Sequence, residues 1–180
     1  MRLWTHGTAE YSPCERYRYT LTRAMDPDLI DASTPATRAN AGRTIAFIGL
    51  NPSTATEFKD DPTVRRCVGF AAREGFGRLV MLNAFAYRAT DPKDMKAQID
   101  PVGAGNDEAI VSVVGRVAGE AALAVFAWGT HGTHMGRHQQ MLELVGPRHC
   151  LGVTKAGLPK HPLYLRADSP IVPYRSPATA

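Results

Sequence analysis

The chain has 180 residues, 44% of them hydrophobic, and a formal charge of +4. That composition supports one compact domain with its own core and excludes a disordered or fibrous protein. No apolar run approaches the roughly 20 residues that a membrane helix needs, and the opening "MRLWTHGTAEYS" has no apolar stretch of the kind a secretory leader carries, so a cytoplasmic protein without a membrane partner is expected.

Residues 16–25, "RYRYTLTRAM", alternate polar and apolar side chains, as an antiparallel edge strand would. Residues 31–42, "DASTPATRANAG", read as a loop. "TIAFIGL" at residues 44–50 is a short buried strand that ends abruptly on "NPS". The next segment, residues 61–75, opens with Asp61 as cap and Pro62 in the first helical position and closes at Gly75, which defines a helix. "RLVMLNAF" at 78–85 and "LAVFAWG" at 123–129 repeat the buried-strand pattern, and "RHCLGVT" at 148–154 adds a fourth. Between them, residues 106–121 carry Asn106 as a cap, acids in the first turn, and Ile110, Val113, Val114 and Val117 on one face. "THMGRHQQMLELVG" at 133–146 supplies a third helix. Strands alternating with helices predict a three-layer α/β/α domain around a mostly parallel four-stranded sheet. The whole chain, 1–180, is read as one domain with its core at about 44–166 and a flexible tail over 169–180. Cys14, Cys67 and Cys150 are odd in number and widely spaced, which fits reduced thiols.

In open α/β sheets, ligands bind beyond the carboxyl ends of the strands. Each predicted strand here ends on chemically rich residues: "GLNPS", "NAFAYR", "WGTHG" and "TKAGLPKHPLYL". Their convergence on one edge predicts a site bordered by Asn51, Asn83, Trp128 or its neighbouring turn, and His161.

These motifs carry a resemblance. "GLNPS", "VMLN", "VFAWG" and "KHPLYL", in that order, resemble the strand-end motifs of the uracil-DNA glycosylase superfamily, whose mismatch-specific branch has Gly-Ile-Asn-Pro-Gly at the first of them. More closely, "LNPSTA", "DDPT", "NAFAYRATDP" and "HPLY" are similar to a family of small bacterial and phage proteins known as a domain of unknown function. The superfamily resemblance implies a uracil-DNA glycosylase-like fold and an enzyme that hydrolyses an N-glycosidic bond. Its expected substrate is a modified or mismatched pyrimidine in DNA, or a related nucleotide, cleaved without a metal or other cofactor and without an obligate protein partner. Leu163 stands where DNA-acting relatives have a serine that pinches the backbone, which points away from ordinary uracil repair.

The chemistry needs few groups. Cleavage leaves a cationic sugar and an anionic base, so water must be placed behind the sugar carbon and charge stabilised on the leaving base. Asn51 would orient the water through its amide carbonyl, and Asn51→Asp is expected to retain or raise activity. His161 would donate to the base oxygen, and Asn83, with one acceptor and two donors, would read the base edge. Phe58 and Phe85 are candidates to stack on the base. Ser53, Thr54, Arg88, Lys155 and Lys160 are candidates to meet phosphate, Arg88 together with Tyr87.

Ordinary structural roles stand beside these. Asn51-Pro52 suits a turn, Asn83 can satisfy strand-end backbone, and Asp61 suits a helix cap, although Asp60 or Asp61 as a base gives a rival mechanism. His131, His134 and His138 fall three and four apart, a spacing that on a helix aligns them for a metal-dependent hydrolase or an anion site. A non-catalytic reader of a flipped base or nucleotide is the remaining class.

Overall fold

A computed structural model describes residues 2–119, 123–146 and 148–175, with the side chains of 116–119 left aside. Its strands are β1 (Trp4–Tyr11), β2 (Arg18–Met25), β3 (Thr44–Gly49), β4 (Arg78–Asn83), β5 (Leu123–Phe126), β6 (His149–Cys150) and β7 (Val172–Pro173). The helices are α1 (Pro35–Asn40), α2 (Pro62–Arg73), α3 (Pro92–Lys96), α4 (Asn106–Gly119) and α5 (Arg137–Val145), with 3-10 turns at Thr130–Gly136 and Pro162–Tyr164. No helix among the described residues is long and apolar enough to cross a membrane.

The strands make one mixed sheet in the order β1-β2-β4-β3-β5-β6-β7. β4, β3, β5 and β6 run parallel, while β1, β2 and β7 are antiparallel to their neighbours. From β3 the chain crosses through α2 to β4 on one side, and from β5 it crosses through α5 to β6 on the other. The loops after β3 and β5 therefore diverge, opening a crevice between them.

β3 shows why its sequence is continuously apolar. Ile45 and Phe47 pack with Val64, Val68 and Phe70 of α2, whereas Ala46 and Ile48 pack with Ile110 and Val114 of α4 and Met141 of α5. A strand covered on both faces has no polar side to display. α2 starts as its sequence dictates, with Asp61 accepting from the Val64 amide at 2.8 Å and Pro62 in the first turn.

The sheet is larger than the four strands expected. β2 lies inside it, because β1 pairs along its outer side. β1 escapes the sequence pattern because Trp4 is its single buried residue. The segment read as a loop contains α1, held by a reciprocal Thr34–Thr37 capping box and burying nothing, so it leaves no apolar periodicity. α5 begins at Arg137 instead of Thr133, since His134 is extended (ψ 133°) and Met135 left-handed (φ 53°). Asn106 does not cap α4 from outside; it is the helix's first residue and its amide donates to the carbonyls of Asn83 and Ala84, at 3.0 and 3.2 Å. In α4, Ile110, Val113 and Val114 are buried, and Val117 lies outside the described side chains. The fourth expected strand shrinks to the two residues of β6, and the expected tail returns as β7 with Tyr174 buried behind it. Residues 176–180 of that tail lie outside the described residues. All three cysteines are free, Cys67 and Cys150 buried and Cys14 exposed.

Arg23, fully buried on β2, ties the loop after β3 to the sheet. Its Nε donates to Asp60 at 2.9 Å, Nη2 lies 2.7 Å from the same carboxylate, and Nη2 also donates to the Thr56 carbonyl at 2.7 Å. Arg23→Ala would leave the largely buried Asp60 charge and those carbonyls uncompensated, and should cost about 3 kcal/mol or more. Urea unfolding of wild type and variant measures that loss, and equal midpoints would show that the pair carries no stability.

Candidate functional site

The loops at the carboxyl ends of the parallel strands enclose a cavity of about 710 Å3, bordered by Asn51 after β3, Asn83 at the end of β4, Trp128 after β5 and His161 beyond β6. This lies in the size range of small-ligand sites.

Asn51 is fixed by its own amide. Nδ2 donates to the carbonyls of Pro52, at 3.0 Å, and Ala89, at 2.8 Å. Two carbonyls on one end of the side chain force the nitrogen to that end, because an oxygen there would face two acceptors. Oδ1 receives no donor among the described residues, so it is left as an oriented acceptor. The local sequence explains the clamp: Pro52 has no N–H, and the Ala89 amide donates to the Pro52 carbonyl at 2.9 Å, drawing the loops after β3 and β4 together.

Asn83 is only 4% exposed, yet its side chain makes no hydrogen bond among the described residues. Gly49 makes its placement possible, since a Cβ there would stand 3.0 Å from Oδ1 of Asn83. A buried amide without a partner has unspent donors and an acceptor where it meets the cavity.

His161 sits ahead of the Pro162–Tyr164 turn, where Nδ1 accepts from the Leu163 amide at 3.4 Å. That assigns the ring proton to Nε2. Burial pushes the imidazole below its usual range, with the Asp61 charge opposing and His131 adding to the effect. His161 is therefore a neutral donor at neutral pH.

The same cavity gathers Ser53, whose hydroxyl lies 3.4 Å from that of Thr90, and the exposed Lys160. Other expected residues stand elsewhere. Phe85 is fully buried in the core against His134, with ring centroids 5.7 Å apart, so its face is not available to a base. Phe58 is 79% exposed on the loop after β3 and does not line the cavity. Arg88 is turned to the Glu15 carbonyl at 3.0 Å and the Tyr11 ring, while Thr54 and Lys155 are exposed and also outside the lining. Tyr87 packs edge-on against Tyr17.

The acids separate. Asp60 is consumed by Arg23 and by the Trp4 indole, whose Nε1 donates at 2.7 Å. Asp61 caps α2 with one oxygen and borders the cavity, and no donor among the described residues meets the other oxygen. The three histidines diverge because the backbone breaks at His134 and Met135: His131 lies 3.0 Å from the Lys96 ammonium, His134 packs at a tilt against Phe85, and His138 packs edge-on to Trp128 and Tyr174. Among the described residues no group of three or more His, Cys, Asp or Glu is placed to hold a metal.

Arg18 and Tyr164 also line the cavity, and the sequence reading assigns neither of them a role. Arg18 is 2% exposed, and the 86% exposed Tyr164 stands at the rim beside His161. An arginine in an alternating strand gives no sign that it is buried, and Tyr164 would have required the path of the last loop.

A family model described as "Protein of unknown function (DUF1643)" matches residues 18–163. No curated protein and no solved structure matches the chain.

His131, His138, His149 and His161 are all held below their usual range, chiefly by burial. The unfolded chain protonates these rings below about pH 6.5, while the folded chain resists until lower pH. Their contribution to stability is thus complete above that value and lost on acidification. The melting temperature should change little from pH 7.5 to about pH 6.5 and fall from there to pH 5, less steeply in His161→Gln; a flat profile down to pH 5 would show that these rings are not desolvated.

Proposed function

We propose, for a chain that belongs to the family described as a protein of unknown function (DUF1643), that the cavity hydrolyses an N-glycosidic bond of a modified or mismatched pyrimidine in DNA or of a related nucleotide. The observation that carries this reading is the Asn51 clamp: an amide held by two carbonyls, with its free oxygen on the same cavity as a neutral His161. A uracil-DNA glycosylase-like, three-layer fold accords with the order of the parallel strands and with helices packed against both faces of β3.

In this mechanism Oδ1 of Asn51 accepts from a water and aims it at the sugar carbon. The glycosidic electron pair leaves with the base, and Nε2–H of His161 donates to the base oxygen on which charge collects. Water oxygen forms the new bond to the sugar. Its proton goes to Asp61, the acid that borders the cavity with an uncommitted oxygen. Asn83 reads the base edge with the donors and acceptor that the protein leaves unused.

The test is release of free base from oligonucleotides and free nucleotides carrying a panel of modified pyrimidines, with alkali revealing abasic sites in the oligonucleotides. Asn51→Ala should abolish release while leaving binding nearly intact, and His161→Ala should slow it roughly 100-fold, as loss of one donor to a developing charge does. Asn51→Asp reverses the expectation drawn from sequence, because a carboxylate would face the Pro52 and Ala89 carbonyls; it should lose both stability and rate. Wild-type turnover by Asn51→Ala would end this assignment. Binding across the panel without base release would leave a non-catalytic nucleotide reader.

A further inference from the structure

Arg18, Arg23 and Arg137 are 2%, 0% and 2% exposed. A guanidinium that deep is costly unless a carboxylate and further acceptors surround it. Arg23 meets this condition through Asp60 and three backbone carbonyls. Arg137 meets it through Asp107, Gln140 and the Ala84 carbonyl, the last at 2.7 Å. Arg18 does not. Its Nη1 donates to the Ala55 carbonyl, and among the described residues neither Nε nor Nη2 has an acceptor. Asp61 borders the same cavity and its charge helps to hold the Arg18 cation against burial, but no carboxylate among the described residues lies within 4.0 Å of the guanidinium. Of the three buried arginines, the one without a directly paired carboxylate is the one that lines the cavity.

We propose that Arg18 anchors the phosphate of a small-molecule ligand, so that the cavity takes a free nucleoside monophosphate instead of a nucleotide within a strand. The nucleotide identity rests on the N-glycosidase reading; the anchoring of an anion rests on Arg18 alone. A phosphate supplies several acceptor oxygens to the fork of guanidinium donors, and burial strengthens each charge-assisted bond. Burial also decides between free and polymeric ligands. In a strand each phosphate is a diester whose chain must leave on both sides, which keeps it at the mouth, where Lys160, Leu163 and Tyr164 are exposed. A terminal monophosphate has one attachment and can enter fully. The cavity of about 710 Å3 accommodates a ligand of that size.

The experiment is titration calorimetry of the full chain with uridine, deoxyuridine, cytidine and thymidine, their 5′-monophosphates, inorganic phosphate, and a single-stranded oligonucleotide containing the same bases. At least one monophosphate should bind about 10-fold or more tighter than its nucleoside, the gain expected of a charge-assisted pair. Arg18→Met should erase that difference and leave nucleoside affinity unchanged, and Arg18→Lys should keep part of it. Melting curves identify a variant that fails to fold, in which case the wild-type ratio of monophosphate to nucleoside and the Arg18→Lys ratio decide. Equal affinity for monophosphate and nucleoside, no binding of any phosphate-bearing ligand, or oligonucleotide binding tighter than monophosphate and unaffected at Arg18→Met would each overturn the proposal. Because the readout is binding, Arg18-dependent affinity without base release would sustain the anchor and defeat the hydrolase reading. Base release from oligonucleotides by an active Arg18→Met would do the reverse.

Discussion

The loop after β3 holds its shape because a charge is buried beneath it. Residues 50–61 place few apolar side chains in the core, and Leu50 and Ala55 among them cannot set the path of the rest. Arg23 does so from below, binding Asp60 and the carbonyls of Thr56 and Lys59 at once. Trp4 completes the arrangement: its ring lies 4.0 Å from the Arg23 guanidinium, and its indole donates to the same Asp60. Gly7 is required opposite, since a Cβ there would collide with the Glu57 carbonyl and with Arg23 itself. The two antiparallel strands are therefore more than an extension of the sheet. They suspend the loop that carries Asn51 at its start and Asp61 at its end.

Buried ion pairs contribute less to net stability than their Coulomb energy suggests, because both partners surrender hydration. What this one contributes is geometry. A guanidinium has donors in a fixed plane, so a chain that satisfies Asp60, Thr56 and Lys59 together has little freedom left. The Asn51 clamp works similarly from the opposite end of the loop, with two carbonyls choosing the orientation of one amide. Between these points the backbone needs no strand or helix to be well defined.

How much of this was readable from sequence depended on how each element is buried. β3, β4 and β5 are covered on both faces and announce themselves as apolar runs, and α2 has both periodicity and a cap. β1, α1 and β7 bury one residue or none and leave no pattern. The site divides along the same line. Asn51, Asn83 and His161 sit at the ends of legible strands or in the loop that follows them, so topology alone brings them together. Phe85 is two residues past Asn83, but its ring turns into the core, and Phe58 lies on a loop whose path is set by Arg23; neither orientation is written in local sequence. Arg18 stayed hidden because it shares its strand with Arg23. One is paired directly with Asp60 and the other has no carboxylate in direct contact, and that difference appears only when the folded chain assigns partners.

The cavity has two kinds of wall. Asn83 and Asp61 are buried and hemmed in by backbone, so exchanging either disturbs the framework. Lys160, Leu163 and Tyr164 are exposed, and no side-chain hydrogen bond or ion pair to another described residue fixes them. Mutational tolerance is accordingly uneven around one opening. Rim positions can therefore be exchanged in directed evolution with little loss of fold, whereas the same changes at Asn83 or Asp61 would be felt through the backbone around them.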